Sequence, residues 1–246
     1  MRLGKRFMRF GFVVVLFALI SPAMAKPLHE PRLTIAKGGP EHPQVALTFD
    51  ACSGGIDRRI LDTLIDNRIP ATLFVTRRWL ARNGPTVRVL AGHPELFEIE
   101  DHGAEHVPAV LGSKAVYGIK PAGTLAAVEA EVEGGAGAIA TDLGVRAGWF
   151  RGATALYSPD ALALIKSLGF RIAGYSVSGD EGATASAFKA ARTIGRARDG
   201  DVIIAHINQP NRMSGEGVAK GILELKARGF TFRLLKDVET AEDDNS

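Results

Sequence analysis

Two histidines, His102 and His106, stand four residues apart in a His-Gly-Ala-Glu-His stretch. On a helix or tight turn that spacing turns both imidazoles to one side, where they could meet a single metal ion. Two surface histidines on a loop would show the same spacing, so the pair takes its meaning from what surrounds it. The pattern is not that of the HExxH metalloproteases, because Gly103 stands where their glutamate would be. A carboxylate from another strand would make a His/His/carboxylate site with an open position, the usual hydrolytic zinc arrangement.

Other ionisable residues also follow short apolar runs. Asp50 follows Gln44–Phe49, Arg151 follows Trp149-Phe150, Asp180 follows Ile172–Val177 and His206 follows Val202–Ala205, while the histidine pair follows Phe97–Glu100. Asp50 could cap a helix beginning near Ile56, although Asp57 and Ser53 are nearer to that start. Arg151 could pair with Asp50 and hold it ionised and oriented. His206 could hand a proton to a leaving group, or be a satisfied core histidine. Cys52, two residues past Asp50, could supply a thiolate, or be merely small and buried.

The elements that must position these residues alternate. Apolar runs at 44–49, 71–75, 97–100, 149–150, 172–177, 202–205 and 230–234 read as strands. Helical periodicity appears around Ile60–Ile65, 77–90 with a break near Gly84-Pro85, Leu125–Val132, 159–168, 184–198 and 215–227. Gly134, Gly135 and Gly137 weaken the second half of the third of these helices. About seven β/α units with no linker predict a parallel sheet, closed or nearly closed into a barrel. Function in such folds collects at the carboxyl ends of the strands, where all of these residues lie.

The chain has 246 residues, 46% of them hydrophobic and 23% charged, which excludes a disordered or fibrous protein. Its formal charge of +3 is misleading. Arg2, Lys5, Arg6 and Arg9, an apolar run Phe10–Ile20, and Ala23-Met24-Ala25 form a Sec-type signal peptide over residues 1–25. The run is too short to cross a bilayer, so no stable membrane insertion is expected once the peptide is cleaved. Without those four cations, 26 Lys+Arg face 27 Asp+Glu, a net of −1, and the case for nucleic acid is lost. One cysteine excludes an intrachain disulfide and a multi-cysteine zinc cluster. Residues 26–43 read as an irregular lead-in, 44–238 as the barrel and 239–246 as an acidic, fraying tail. The expected location is outside the cytoplasm, periplasmic or secreted.

The order of these pieces resembles the polysaccharide deacetylase family. Thr48-Phe49-Asp50 looks like the start of its Thr-Phe-Asp-Asp motif, and His102 to His106 like its two-histidine metal motif. Phe150-Arg151, followed by Ser158-Pro159-Asp160 and Leu168 to Arg171, is similar to its third motif and the helix after it. Asp201 to His206 is similar to its final Leu-His motif. The resemblance covers residues 44 to 235 and implies a distorted (β/α)7 barrel. It also implies Asp50 as catalytic base, Arg151 as the partner of that base, His102 and His106 as metal ligands and His206 as general acid. Thr154 falls where a backbone N–H helps stabilise an oxyanion. Asp180 is placed to tune His206, and Tyr157, with Trp149 and Tyr175, to stack on a sugar.

The implied activity is metal-dependent removal of acetyl groups, N-acetyl foremost, from an amino sugar or polysaccharide, with a divalent ion, zinc by its ligands. Alternatives are another C–N amide or O-acetyl ester hydrolase of the same fold, or a catalytically impaired glycan-binding barrel. The departures are specific. The second Asp of the first motif, a metal ligand in the family, is Ala51 here, leaving the third ligand open between Asp50 and Cys52. Gly152 and Ala153 replace two prolines, and Asp180 is one place off an ungapped match.

Overall fold

Strand β2 (Gln44–Ala51) is buried from Val45 onward, as expected of a parallel strand covered on both faces. Its alternation sorts the side chains. Leu47, Phe49 and Ala51 enter the core beneath the helices, whereas Ala46 joins a second cluster with Phe74, Trp149 and Val202. Around β2 the computed structural model, which describes residues 27–243, builds one curled parallel sheet. The expected signal peptide lies outside the described residues. β3 (Ala71–Val75), β4 (Phe97–Asp101), β5 (Trp149–Phe150) and β6 (Arg171–Ile172) continue the sheet on one side of β2. β8 (Val202–His206) and then β7 (Val177–Ser178) continue it on the other. These seven strands form a half-closed, distorted β/α barrel, and β9 (Thr231–Arg233) adds to the first three residues of β2.

The helices are α1 (Arg58–Asp66), α2 (Arg77–Arg82), α3 (Gly84–Ala91), α4 (Leu125–Leu143), α5 (Pro159–Ser167), α6 (Ala187–Gly195) and α7 (Ser214–Ala227). Asp57 and Thr76 cap α1 and α2 by accepting from Arg59 N and Trp79 N. The cap of α1 is therefore Asp57, which leaves Asp50 free for other work. Helix α4 runs unbroken through its glycines, against the sequence expectation. Gly134 and Gly135 face Ala104, Asp101 and Gly103 so closely that a Cβ would overlap them, so the glycines serve close approach rather than a break.

Three further segments differ from the sequence reading. The apolar run 172–177 is not one strand: it leaves the sheet at Ala173 and rejoins it at Val177, separating β6 from β7 at the seam of the barrel. The lead-in is not irregular throughout, nor does the tail simply fray. Arg32–Ile35 (β1) and Thr240–Asp243 (β10) pair antiparallel. Leu33 and Ile35 are buried, and β1 lies across the seam, with Leu33 N donating to Tyr175 O at 3.4 Å and Ile35 N to Gly200 O at 2.9 Å. Burial of alternate apolar residues stabilises these two short strands, a tertiary effect that composition does not reveal. Helix α6 is shorter at both ends than the expected 184–198. No helix among the described residues is long and apolar enough to cross a membrane.

Candidate active site

Parallel registration brings the strand ends to one level. Asp50 pairs with His206 across β2 and β8, and with Phe74 across β2 and β3. Val75 pairs with Asp101, and Asp101 with Phe150, which places His102 and Arg151 at the same rim. The five strand ends that carry ionisable residues in the sequence thus surround one opening.

At its floor Arg151 is completely buried. Its Nη1 donates to Asp50 Oδ1 at 2.9 Å and to Thr48 Oγ1 at 3.0 Å, while Nε and Nη2 donate to Ala173 O and Gly174 O, each at 3.0 Å. The guanidinium also lies 4.2 Å from the centre of the Phe74 ring. Burial alone would push the Asp50 carboxyl up, but the positive charges of His102, Arg151 and His206 outweigh it and hold the acid below its ordinary range. Asp50 is therefore a carboxylate with one oxygen fixed by Arg151.

His102 Nδ1 faces the Arg151 carbonyl at 2.5 Å. A carbonyl only accepts, so Nδ1 carries the hydrogen and Nε2 points into the site. Cys52 Sγ lies 3.5 Å and Asp50 Oδ2 3.6 Å from that Nε2. Against the effect of burial, these two anions raise His102 to about 9. A pocket that favours positive charge at Nε2 also favours a divalent cation in place of the proton. The His106 ring stands 5.0 Å from that of His102, at 62°. Donor atoms of Cys52, His102 and His106 all lie within 4.8 Å of one another. A thiol and two imidazoles so placed fit a divalent ion such as zinc.

The histidine loop is held by two acids that sequence reasoning passed over. Asp101 Oδ1 accepts from Gly103 N at 2.8 Å. Glu131, on α4, accepts from Glu105 N at 2.9 and 3.0 Å and from Val107 N at 2.9 Å, and its backbone carbonyl takes Ala104 N at 2.9 Å. The left-handed backbone of Gly103 (φ 87°) gives the Glu131 carboxylate its room, since a Cβ there would meet it. A signal was available: Glu131 is the one acid on the buried stripe Val128, Val132, Gly135 and Ile139.

On the opposite side Asp180 is buried and binds His206 twice, accepting from its backbone N at 2.7 Å and facing Nδ1 at 3.0 Å. Burial would lower the imidazole, but Asp180 and Cys52 raise it well above its ordinary value. Nδ1 is occupied, so Nε2 is the atom left to work. Thr154 has φ 71°, an uncommon conformation for a non-glycine residue.

The cleft above these groups has a volume of about 630 Å³, and Asp50, Cys52, His106, Thr154, Asp180 and His206 line it. Tyr157 does not. Its phenol is wholly buried and accepts from Gly152 N at 2.7 Å, so it braces the turn leading to Thr154 from behind. Trp149 is likewise buried. The aromatic walls are Tyr175, bonded to Glu30, and the exposed Tyr117, which sequence reasoning did not single out.

The profile of the polysaccharide deacetylase family matches residues 37–173, more than half of the chain. The chain belongs to the polysaccharide deacetylase family. Solved structures agree on the fold. The carbohydrate esterase family 4 domain of a multidomain xylanase from the hindgut metagenome of Trinervitermes trinervoides is 21% identical, with a TM-score of 0.64, covering 80% of this chain and 89% of that one. A family 4 carbohydrate esterase from Streptomyces lividans, solved with acetate, is 19% identical, with a TM-score of 0.62 and coverage of 81% and 94%. A pseudoenzyme of the same esterase family from Bacillus anthracis is 16% identical, with a TM-score of 0.62 and coverage of 82% and 67%. No curated protein sequence matches. This deacetylase-family chain therefore shares the fold of these structures.

Proposed function

We propose that this cleft removes acetyl groups, N-acetyl foremost, from an amino sugar or polysaccharide outside the cytoplasm. One observation carries the reading. Asp50 and His206, paired across β2 and β8, are pushed in opposite directions, the acid kept ionised and the imidazole kept protonated at one opening. Adjacent groups driven apart in this way are a base and an acid ready for one reaction.

In that reaction Asp50, steadied by Arg151, takes a proton from the attacking water as oxygen bonds to the acetyl carbon. The Thr154 N–H faces the developing oxyanion. His206 Nε2 gives its proton to the amine as the C–N bond breaks, and Asp180 holds the ring throughout. His102, His106 and a third donor would hold a divalent ion, which would supply Lewis-acid polarisation of the carbonyl and a more acidic water.

Acetate release from N-acetylglucosamine oligomers and acetylated xylan tests the reading and separates amide from ester preference. Asp50→Asn and His206→Ala should each lose about 100-fold or more with unchanged melting. Chelation should abolish release and zinc should restore it. Full activity in either folded variant removes the assignment. Glycan binding without acetate release would favour the impaired-barrel alternative. Export is checked separately, by whether protein recovered outside the cytoplasm begins at Lys26.

A further inference from the structure

We propose that Cys52 is the third metal ligand, binding as a thiolate to complete a Cys/His/His site, and that Asp50 stays outside the coordination sphere. The proposal rests on the metal-dependent reading above and deepens it.

Five observations converge on position 52. Alternation along β2 sends Ala51 into the apolar layer with Leu47 and Phe49, while Asp50 and Cys52 both line the cleft. The chain therefore keeps a donor at this strand end, displaced by one residue from Ala51. Cys52 Sγ shares the side of His102 Nε2 and lies within 4.8 Å of a donor atom of each histidine. No carboxylate oxygen joins that three-donor set among the described residues. Asp50 is committed elsewhere, since Arg151 fixes its Oδ1 at 2.9 Å. Its departure from that pair would leave a buried guanidinium uncompensated. Thr76 Oγ1 donates to the Cys52 carbonyl at 2.6 Å and thereby fixes the backbone that presents the thiol.

The exchange changes the chemistry of the site. A thiolate with two imidazoles selects zinc or cobalt over magnesium, manganese and calcium, which favour oxygen donors. Loading exchanges the one proton held between Cys52 Sγ and His102 Nε2 for the metal: the bond to that proton breaks, sulfur–metal and nitrogen–metal bonds form, and the proton goes to solvent.

The test uses the purified chain loaded with cobalt(II) or zinc. Cobalt should give a near-ultraviolet thiolate-to-metal charge-transfer band alongside its visible bands. X-ray absorption on the zinc form should show one sulfur neighbour at about 2.3 Å with nitrogens at about 2.0–2.1 Å. Cys52→Ser should remove the band and weaken zinc binding more than about 100-fold, beyond what loss of an outer-sphere partner causes. Cys52→Asp should bind without the band. Wild-type cobalt spectra lacking the band, or oxygen and nitrogen neighbours alone, overturn the proposal without any variant. An acetyl thioester on Cys52 in chelator-treated protein given substrate would also overturn it, by making the cysteine a nucleophile. Acetate release with no sulfur on the metal would sink the ligand assignment and leave the deacetylase reading standing. Sulfur on the metal with no acetate from any substrate would do the reverse.

Discussion

Strand β5 has only two residues and meets β4 at a single registered pair, Asp101 with Phe150, yet it delivers Arg151 to the site. On its other edge it pairs with β6, and a side chain of β4 adds to its hold on that strand. Glu100 Oε2 accepts from Gly148 N at 2.8 Å and Trp149 N at 2.7 Å. Glu98, two residues away and facing the same side, is buried beside it, and its Oε1 accepts from no backbone or hydroxyl donor. Burial raises the Glu100 carboxyl from 4.5 to about 8, the two backbone donors notwithstanding, with Glu98 adding to the rise. The folded protein then keeps a proton that the unfolded chain gives up at 4.5. Stability is fully present below pH 4.5 and falls by about 1.4 kcal/mol per pH unit until pH 8. The total is on the order of 5 kcal/mol. Glu100→Gln keeps an acceptor for both N–H groups and offers an amide hydrogen toward Glu98. Urea unfolding at pH 4.5 to 8.5 should find the variant close to wild type at the acidic end and several kcal/mol more stable at the alkaline end. Two stability curves that stay parallel across this range would refute the reasoning.

Asp180→Asn removes the negative charge that raises His206, so the imidazole should lose its proton at lower pH; the alkaline limb of the rate profile should move toward neutrality, and an unmoved limb would count against His206 as the acid. Glu131→Ala strips the acceptor from Glu105 N and Val107 N at the histidine loop. It should cost about 2–4 kcal/mol in unfolding experiments and weaken zinc binding about 10- to 100-fold, and intact zinc affinity would show that the loop holds its shape without α4.

Much of the site was legible because parallel β/α units turn chain order into geometry. Each apolar run ending in Asp50, His102, Arg151 or His206 had to place that residue at the same rim, whatever the details of closure. Asp180 was legible for the same reason, although the strand before it proved to be two pieces. The illegible parts depend on contacts across the chain. Tyr157 looks like a rim aromatic until the Gly152 N–H that binds its phenol is seen. The α4 glycines look like a break until Asp101 and Gly103 are found against them. Residues 32–35 and 240–243 are far apart in sequence and pair only because each covers what the other leaves open.

Arg151 does two jobs at once. Three of its donors meet Asp50, Ala173 and Gly174, so the residue that aims the base also satisfies the carbonyls exposed where β6 and β7 part. Reactivity and closure are therefore inherited as one trait. A change that retunes the base by altering this guanidinium also opens the wall, and a lysine, with one ammonium in place of a planar fork, cannot span both. The other side of the base carries no such double duty: Ala51 and Cys52, which depart from the family motif, hold no carbonyl of the seam.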